Sequence, residues 1–430
     1  MLRAFVNAFK VPDLRKKILF TLFIIALYRF GSHVPVPVVD LEILRRALER
    51  QGQTGFLAFI DLFSGGALTR MAVFGLGIMP YITSSIIMQL LTVVIPKLEQ
   101  WQKQGEQGIK KINQWTRYVT VVLALLQSTG LVFLFHSGDA TQGLGVDIFP
   151  PGEFTPANVA LIVLIMTAGT AMIMWLGELI TQRGIGNGMS LLIFTSVISR
   201  LPQEGRAILV SSGSVRFTLV LLMGLALIVG VIFLEQGQRR IPVQYAKRVV
   251  GRRMTAGGST YIPLKVNQAG VIPIIFASSL LYFPTLVASV YHAAWFQTFV
   301  NNYVVNQRSL VYMTIYGLMV VFFAYFYTAI AFNPVDTADN LRKYGGFIPG
   351  IRPGPPTADY LSYVLTRITL PGSLYLAAIA LLPSIVFAFW VIQQFPFGGT
   401  SLLITVGVAL ETMKQLESQL LMRHYEGFLK

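Results

Sequence analysis

Residues 71–96 read MAVFGLGIMPYITSSIIMQLLTVVIP, a run that contains no Asp, Glu, Lys or Arg. A helix needs roughly 20 consecutive apolar residues to cross the hydrocarbon core of a bilayer, so this run is long enough to span it. The sequence therefore predicts an all-α, multi-pass membrane protein. Further charge-free windows lie at 118–138, 154–177, 217–234, 266–307 and 368–410.

The composition supports the same class. The chain has 430 residues, of which 54% are hydrophobic and 12% are charged, whereas soluble proteins carry about 25% charged residues. A large soluble helical protein is the alternative, but its helices would show a polar stripe that these windows lack. We expect about ten transmembrane helices. The predicted spans are 18–36, 71–95, 118–137, 157–177, 186–200, 217–235, 268–291, 309–331, 368–390 and 400–418.

The basic residues predict the orientation, because short cytoplasmic loops are enriched in Lys and Arg. Such residues precede the first span and fill the loops after spans two, six and eight, while 137–156 has acids only and 391–399 has no charge. An even number of spans with both termini in the cytoplasm fits every loop except 37–56, where the signs are mixed. The predicted organisation is a cytoplasmic segment 1–17, an N-terminal half 18–200, a C-terminal half 201–418 with cytoplasmic loops 236–266 and 333–366, and a cytoplasmic tail 419–430.

The segment 55–68, GFLAFIDLFSGGAL, is apolar but too short to cross the bilayer. Such a stretch is either re-entrant or interfacial, and spacing alone does not separate a re-entrant segment from a surface amphipathic helix. Asp61 and Arg29 stand near the outer ends of their segments, where we expect their side chains to reach water.

Motifs for catalysis are absent from the sequence. There is no cysteine, and no GxxxxGK[ST], HExxH or GxSxG occurs, so the sequence predicts a protein that is not an enzyme and holds no metal or cofactor. The second candidate is a secondary transporter of a small solute. Its usual intramembrane charges are not found within the spans.

Glycine and proline stand beside isoleucine in three apolar stretches, GLGIMPY at 75–81, AGVIPIIF at 269–276 and GGTSLLI at 398–404. Isoleucines three or four residues apart share one helix face, and by spacing alone lipid contact or packing is the favoured role for them. Pro80, Pro273 and Pro284 are expected to kink or loosen their helices.

Residues 236–265 carry basic residues and no acid, and they form two runs with β-like alternation around GRRMTAGG. This pattern predicts a hairpin with Arg252 and Arg253 at its tip. The loop 344–356, YGGFIPGIRPGPP, is stiffened by proline and presents Arg352. A positive-inside bias combined with ordinary turn residues is the alternative explanation of both loops.

Longer motifs show a likeness to a known family and run in that family's order from about residue 10 to 425. They resemble the SecY family, the channel subunits of the bacterial protein-secretion translocon. The stretches that carry the likeness are GIMPYITSSIIMQLL (77–91), WLGELITQRGIGNGMS (175–190), QRRIPVQYAKR (238–248), GRRM (251–254), PLKVNQAGVIP (263–273), NPVDTADNLRKYGGFIPGIRPG (333–354) and GGTSLLI (398–404).

The resemblance implies two pseudo-symmetric halves of five helices around a central hourglass pore that conducts unfolded polypeptides and releases membrane helices laterally. It implies four groups of site residues. The pore ring would be Ile78, Ile82, Ile193, Ile272, Ile275 and Ile404. The re-entrant plug, near 57–68, would include Phe59, Ile60, Asp61, Leu62, Phe63, Ser64, Gly65 and Gly66. The lateral gate would be Thr83, Ser84, Ser85, Gln89 and Asn267, and the docking surface Arg239, Arg240, Lys247, Arg248, Arg252, Arg253 and Arg352.

The resemblance also implies partners. These would be SecE-like and SecG-like membrane subunits, the SecA motor ATPase, the ribosome, substrates that bear signal sequences, and the lipids of the cytoplasmic membrane. A motor supplied by a partner agrees with the missing phosphate-binding motif. A cationic loop suits ribosomal RNA, and such binding weakens as salt rises.

Overall fold

A computed structural model describes residues 9–44, 61, 63–137, 147, 149–150, 152–245, 248–250, 253–255, 258–290, 293–305, 309–389 and 399–426. The described part is mainly helical. Its helices are α1 Pro12–Gly31, α2 Met79–Val94, α3 Pro96–Lys103, α4 Glu106–Ser137, α5 Pro156–Arg183, α6 Gly188–Gln236, α7 Ile272–Val290, α8 Ala294–Val300, α9 Leu310–Ala331, α10 Pro334–Lys343, α11 Pro355–Phe389 and α12 Gly399–Glu426, with a 3-10 turn at Leu68–Arg70 and a π-helical turn at Asn301–Val305.

Among the described residues, five helices are long and apolar enough to cross a membrane, and a bent pair of helices raises the number to six. Each predicted span has a helix over most of its length, and α6 covers spans five and six. Within α6 the backbone leaves helical geometry at Gly213, where φ is 82°. Glycine has no Cβ and adopts this conformation readily. The chain is therefore a multi-pass membrane protein.

Prolines set helix boundaries more than they kink helices. Pro80 and Pro273 lie in the first turns of α2 and α7, where proline costs no hydrogen bond. The expectation that these two would kink their helices is wrong, and of the three prolines only Pro284 lies inside its helix. Pro96 begins α3, and α3 bends away from α2 by 100°, because the residue before a proline is disfavoured in helical conformation.

The second predicted span is helical only from Met79 onward, although we predicted it from residue 71. The segment before it consists of turns in which Met71 and Gly77 have positive φ. A Cβ on Gly77 would lie 2.9 Å from the Phe63 carbonyl oxygen and the Ser64 Cα, so the close approach of two backbones requires glycine there.

The loop after α6 forms the predicted antiparallel hairpin. Strands β1 (Gln238–Tyr245) and β4 (Ser259–Lys265) pair from Gln238↔Lys265 to Gln244↔Ser259, and β2 (Arg248–Val250) pairs with β3 (Arg253–Thr255) nearer the tip. The sequence did not predict a third strand, β5 (Gly346–Phe347), which pairs with β1. This pairing joins the loop after α6 and the loop after α10 into one unit.

Two large apolar cores organise the membrane part. One core packs residues of α1, α5 and the first part of α6 together with residues of α7 and α12. The other packs residues of α7, α9, α11 and α12, and it includes Ile86 of α2. Since α2, α7 and α12 contribute to both cores, the site lies where the two cores meet.

Candidate functional site

Isoleucines from four separate segments meet in the first of these cores. Ile78, Ile193, Ile275 and Ile404 are buried there, and Ile82 packs against them. Ile272, the sixth residue predicted for the ring, packs in the second core instead. The structure thus brings together five of the six, drawn from α2, α6, α7 and α12. Spacing alone had favoured lipid contact or packing for these residues. The cluster forms only when the four segments pack together, so the pattern of one helix does not reveal it.

Residues that precede the turns leading into α2 contact this isoleucine cluster. We call residues 61 and 63–70 the root segment, because they contain the described end of the predicted plug and the two residues that follow it. Phe63 has no exposed surface and belongs to the same core as the isoleucines. Three residues of the predicted plug, Phe59, Ile60 and Leu62, lie outside the described part of the chain.

Hydrogen bonds to backbone carbonyl oxygens connect the root segment to α1. The Arg29 guanidinium donates to the Gly65 carbonyl oxygen at 3.0 Å, and the Tyr28 hydroxyl donates to the Ser64 carbonyl oxygen at 3.4 Å. Tyr28 also shares a 2.6 Å hydrogen bond with the Ser196 hydroxyl of α6. These contacts fix the position of the root segment between α1 and α6.

Gly65 makes the closest approach of the root segment to α6. Its φ is +66°, and a Cβ placed on it would lie 3.0 Å from the Ser196 Cα. Any side chain here would strain the backbone and press on α6. Glycine at this position therefore allows the root segment to lie directly against the helix.

A buried ion pair makes a second connection to α6. The Arg200 Nη1 and the Asp61 Oδ2 are 3.2 Å apart, and the two side chains are 13% and 2% exposed. The other oxygen, Oδ1, accepts from the Thr69 backbone N–H at 3.2 Å and the Ser64 hydroxyl at 3.4 Å. The expectation that Asp61 reaches water is wrong, because Arg200 and the root segment enclose it.

The charge of Asp61 depends on its partner. Burial raises the pKa of the Asp61 carboxyl, and the positive charge of Arg200 acts against that rise. A buried carboxylate without a partner would favour its protonated form. Arg200 therefore stabilises the ionised form of Asp61.

The predicted gate residues make their described hydrogen bonds mainly away from the boundary between α2 and α7. Ser84 donates to the Thr116 carbonyl oxygen of α4 at 2.7 Å, and Thr83 donates to the Met79 carbonyl oxygen one turn earlier. Asn267 donates to the Glu235 carboxylate of α6 and, at 3.1 Å, to the Gly270 carbonyl oxygen. Ser85 and Gln89 are partly exposed on α2.

Apolar side chains dominate where α2 meets the C-terminal half. Ile86 of α2 packs in one core with Ile274 and Ala277 of α7. Two membrane helices joined mainly by dispersion contacts have no strong directional bond between them. This boundary is therefore suited to separation.

Basic residues gather on the sheet formed by the hairpin and β5. Arg239 and Arg240 are exposed on β1, and the Arg240 guanidinium lies 4.9 Å from the centre of the Tyr261 ring. Arg352 is exposed, and its carbonyl oxygen accepts from the Thr357 hydroxyl at 2.8 Å. The pairing of β5 with β1 places the loop of Arg352 next to the hairpin. Arg248 and Arg253 lie on β2 and β3, and Lys247 and Arg252 lie outside the described residues.

Sequence reasoning missed several partners within this site. Tyr28, Ser196 and Arg200 were not singled out, although all three contact the root segment or each other. Arg200 carried a usable signal, because a cation at the end of an apolar span needs a partner or water. Tyr28 and Ser196 carried none, since hydroxyl groups are frequent in membrane helices.

Comparisons with known proteins identify the same family as the sequence motifs. A family model described as SecY matches residues 72–413. The chain is 54% identical over 443 residues to the "Protein translocase subunit SecY" of Mycobacterium tuberculosis (strain ATCC 25618 / H37Rv), with 100% of both sequences covered.

Two solved structures share the fold. One, described as "The structure of a protein conducting channel", aligns with a TM-score of 0.64 and 16% identity over 93% of this chain and 91% of that chain. The other, described as "Sec61 in the Canine ribosome-channel complex from the endoplasmic reticulum", aligns with a TM-score of 0.61, 16% identity and the same two coverages.

Proposed function

The chain belongs to the SecY family of protein-translocase subunits and is a protein-conducting channel, and from this premise we propose that its isoleucine cluster is the constriction through which polypeptides pass. The observation that carries the proposal is the core in which Ile78, Ile193, Ile275 and Ile404 meet with Phe63 of the root segment. Residues far apart in sequence, from both predicted halves, converge there on one point.

The chemistry of isoleucine suits a seal that does not recognise sequence. β-Branched side chains are stiff at χ1 and keep their shape when a neighbour moves. They offer no hydrogen bond to an ion, and an apolar constriction excludes water and ions by dewetting. Such a collar fits around an extended chain of any sequence and closes again after it.

The root segment belongs in this proposal to a plug that covers the constriction in the resting channel. Its Phe63 is buried against the isoleucines, and α1 and α6 hold it from two sides. The contact between α2 and α7 is the lateral gate, where apolar packing around Ile86 separates to admit a signal sequence or a membrane helix. Asn267 then acts from the α7 side, bonded to Glu235 of α6.

The joined cytoplasmic loops form the proposed docking surface. Arg239, Arg240 and Arg352 are exposed there, and the β1–β5 pairing places the two loops side by side. Energy would come from a SecA-like motor or from the ribosome at this surface, with SecE-like and SecG-like subunits in the membrane. The similar Sec61 structure is described as part of a ribosome–channel complex. With the hairpin in the cytoplasm, both termini lie there too, and the membrane is the cytoplasmic membrane.

The transporter alternative gains nothing from the structure or the comparisons. A solute transporter needs a polar or charged site near the membrane midplane. The point where the described helices converge is instead lined by isoleucine, and the similar proteins are translocase subunits and channels.

A disulfide experiment tests the channel directly, because the chain has no cysteine of its own. Ile82→Cys would carry the only thiol, and a secretory precursor with one cysteine would be stalled in the translocase. We expect a disulfide between the two proteins. The matched control is Leu164→Cys on α5, whose side chain is exposed on the outside of the helix bundle. Equal crosslinking at both positions, or none at Ile82→Cys, would contradict the proposed constriction.

A further inference from the structure

Glu235 lies one residue before the end of α6, and its carboxylate accepts a hydrogen bond from the side-chain amide of Asn267. Resting on the proposed function, we propose that Glu235 is a positioning residue of the lateral gate. Through Asn267 it clamps the base of α7 in the resting direction, and the clamp is released when the gate opens. Glu235 acts through Asn267 and need not touch the substrate.

The segment 266–271, which we call the link, is a short non-helical connection between β4 and α7. Its first residue is fixed on two sides. The Val266 backbone N–H donates to the Gly237 carbonyl oxygen at 2.9 Å, and a Cβ on Gly372 of α11 would collide with the Val266 carbonyl oxygen. Movement of α7 relative to α6 is therefore taken up by the residues of the link that follow Val266.

Gly270 is the point of the link with the most conformational freedom. Its φ is +61°, and a Cβ placed on it would meet no atom of the described residues within 4 Å. Glycine adopts positive φ readily, and the hinges of moving elements are a few residues at element ends that absorb such changes of φ and ψ. Because α7 begins two residues later, a rotation at Gly270 changes the direction of the whole helix.

Asn267 connects this hinge to Glu235. Its Nδ2 donates both to the Glu235 carboxylate and, at 3.1 Å, to the Gly270 carbonyl oxygen. The Asn267 side chain is 4% exposed, so water does not readily replace these partners. A hydrogen bond to an ionised acceptor is also roughly twice as strong as a neutral one. While both bonds are made, the Gly270 peptide is held against the end of α6 and α7 keeps its resting direction.

Charges near Glu235 make the clamp reversible. Lys265 of β4 and Lys414 of α12 attract the carboxylate, whereas Glu411 of α12 repels it. Neither lysine lies on the link or on α7, so both remain near the carboxylate when Asn267 moves away. Opening therefore does not leave Glu235 as an isolated charge. It costs the two hydrogen bonds of Asn267, and a signal sequence bound at the gate can offset that loss.

An exchange of donor and acceptor tests the bond itself. Glu235→Ala removes the acceptor, Asn267→Asp removes both amide donations, and Glu235→Gln keeps an oxygen that accepts from Asn267. In the double variant Glu235→Gln/Asn267→Asp, the introduced amide donates to the introduced carboxylate. The bond between the two positions then returns in the opposite direction, while the bond to Gly270 does not. The matched control is Glu411→Gln, which removes an exposed carboxylate near Glu235.

The experiment measures export of two precursors by the purified translocase in liposomes, one with an intact and one with a defective signal sequence. We expect Glu235→Ala and Asn267→Asp to raise export of the defective precursor roughly tenfold. Glu235→Gln should raise it less, the double variant should fall below Asn267→Asp, and Glu411→Gln should leave it unchanged. Export of the intact precursor should change little, because its signal already opens the gate. If Glu235→Ala does not insert stably, Asn267→Asp and the double variant, which keep the size of both side chains, decide the result.

Three outcomes overturn the clamp. The first is export of the defective precursor in Glu235→Ala and Asn267→Asp equal to that in Glu411→Gln. The second is a double variant that exports this precursor as much as Asn267→Asp, or more. The third is an equal change in export of both precursors together with a lower unfolding temperature, which indicates a role in folding alone. The Ile82→Cys crosslink to a stalled precursor is recorded without any clamp mutation. A normal crosslink with unchanged signal selection refutes the clamp and leaves the channel intact, whereas a missing crosslink contradicts the proposed constriction itself.

Discussion

Truncation of Phe63 should open the resting channel. The side chain is fully buried, and it packs in the core that contains the isoleucine cluster. Phe→Ala substitutions in cores cost about 3–5 kcal/mol, from lost transfer energy and the cavity left behind. If the root segment leaves this core on opening, that cost falls on the closed state alone. Since each 1.4 kcal/mol is a factor of ten, the open fraction should rise by at least roughly a hundredfold.

The assay is ion leak through the purified translocase in liposomes, together with export of a precursor whose signal sequence is defective. Phe135→Ala is the matched control, because Phe135 of α4 is equally buried but belongs to a separate core. Both variants should lower the temperature of unfolding, and only Phe63→Ala should leak and accept the defective signal. Similar leak in the two variants, or none in Phe63→Ala, would refute the reasoning.

Three further predictions concern the ring, the docking surface and the plug. Ile82→Asn places a hydrogen-bonding group beside the cluster, so single-channel recordings should show an ion conductance that the unmodified protein lacks; equal conductance would remove Ile82 from the ring. Arg352→Glu reverses an exposed charge beside the hairpin and should reduce motor-driven export without lowering the unfolding temperature, while Arg342→Glu, on the neighbouring helix, should export normally; equal export by both would separate the loop from docking. In the double variant Gly65→Cys/Ser196→Cys, a Cβ on residue 65 lies 3.2 Å from the Ser196 Cβ. A shift of a few tenths of an ångström gives about the 3.5–4.5 Å of a disulfide, although the positive φ of residue 65 strains the backbone, so the reduced double variant is the reference for the oxidised one. Oxidation should lock the channel shut and a reductant should restore export; undiminished export in the fully oxidised protein would show that the root segment need not move.

Much of the architecture was predictable from one-dimensional patterns. Charge-free windows of span length require helices in a bilayer, because only internal hydrogen bonds satisfy the backbone there. The hairpin was likewise visible in the alternation within 236–265 and is confirmed by the pairing of β1 with β4. The start of α2 was not predictable to the residue, since apolar character continues through 71–78 while glycine and the first-turn Pro80 delay the helix.

Part of the candidate site was also predictable from the sequence, and part was not. The motifs of the SecY family indicated which isoleucines to examine, but spacing could show only that pairs such as Ile78 and Ile82 share a helix face. Their meeting with Ile193 and Ile404 depends on how four segments pack. The separation of Ile272 into the other core was beyond the sequence for the same reason.

The sequence by itself determined that this protein crosses the membrane many times, which loops carry its positive charge and which family it resembles. Hydropathy, charge bias and motif order depend only on the order of the residues along the chain. Only the tertiary structure decided that Asp61 faces Arg200 across 139 positions of sequence instead of facing water, that β5 joins the hairpin and that Ser84 bonds to α4. These are contacts between distant segments. A side chain's partner is set by which helices pack together, and no local pattern records that packing.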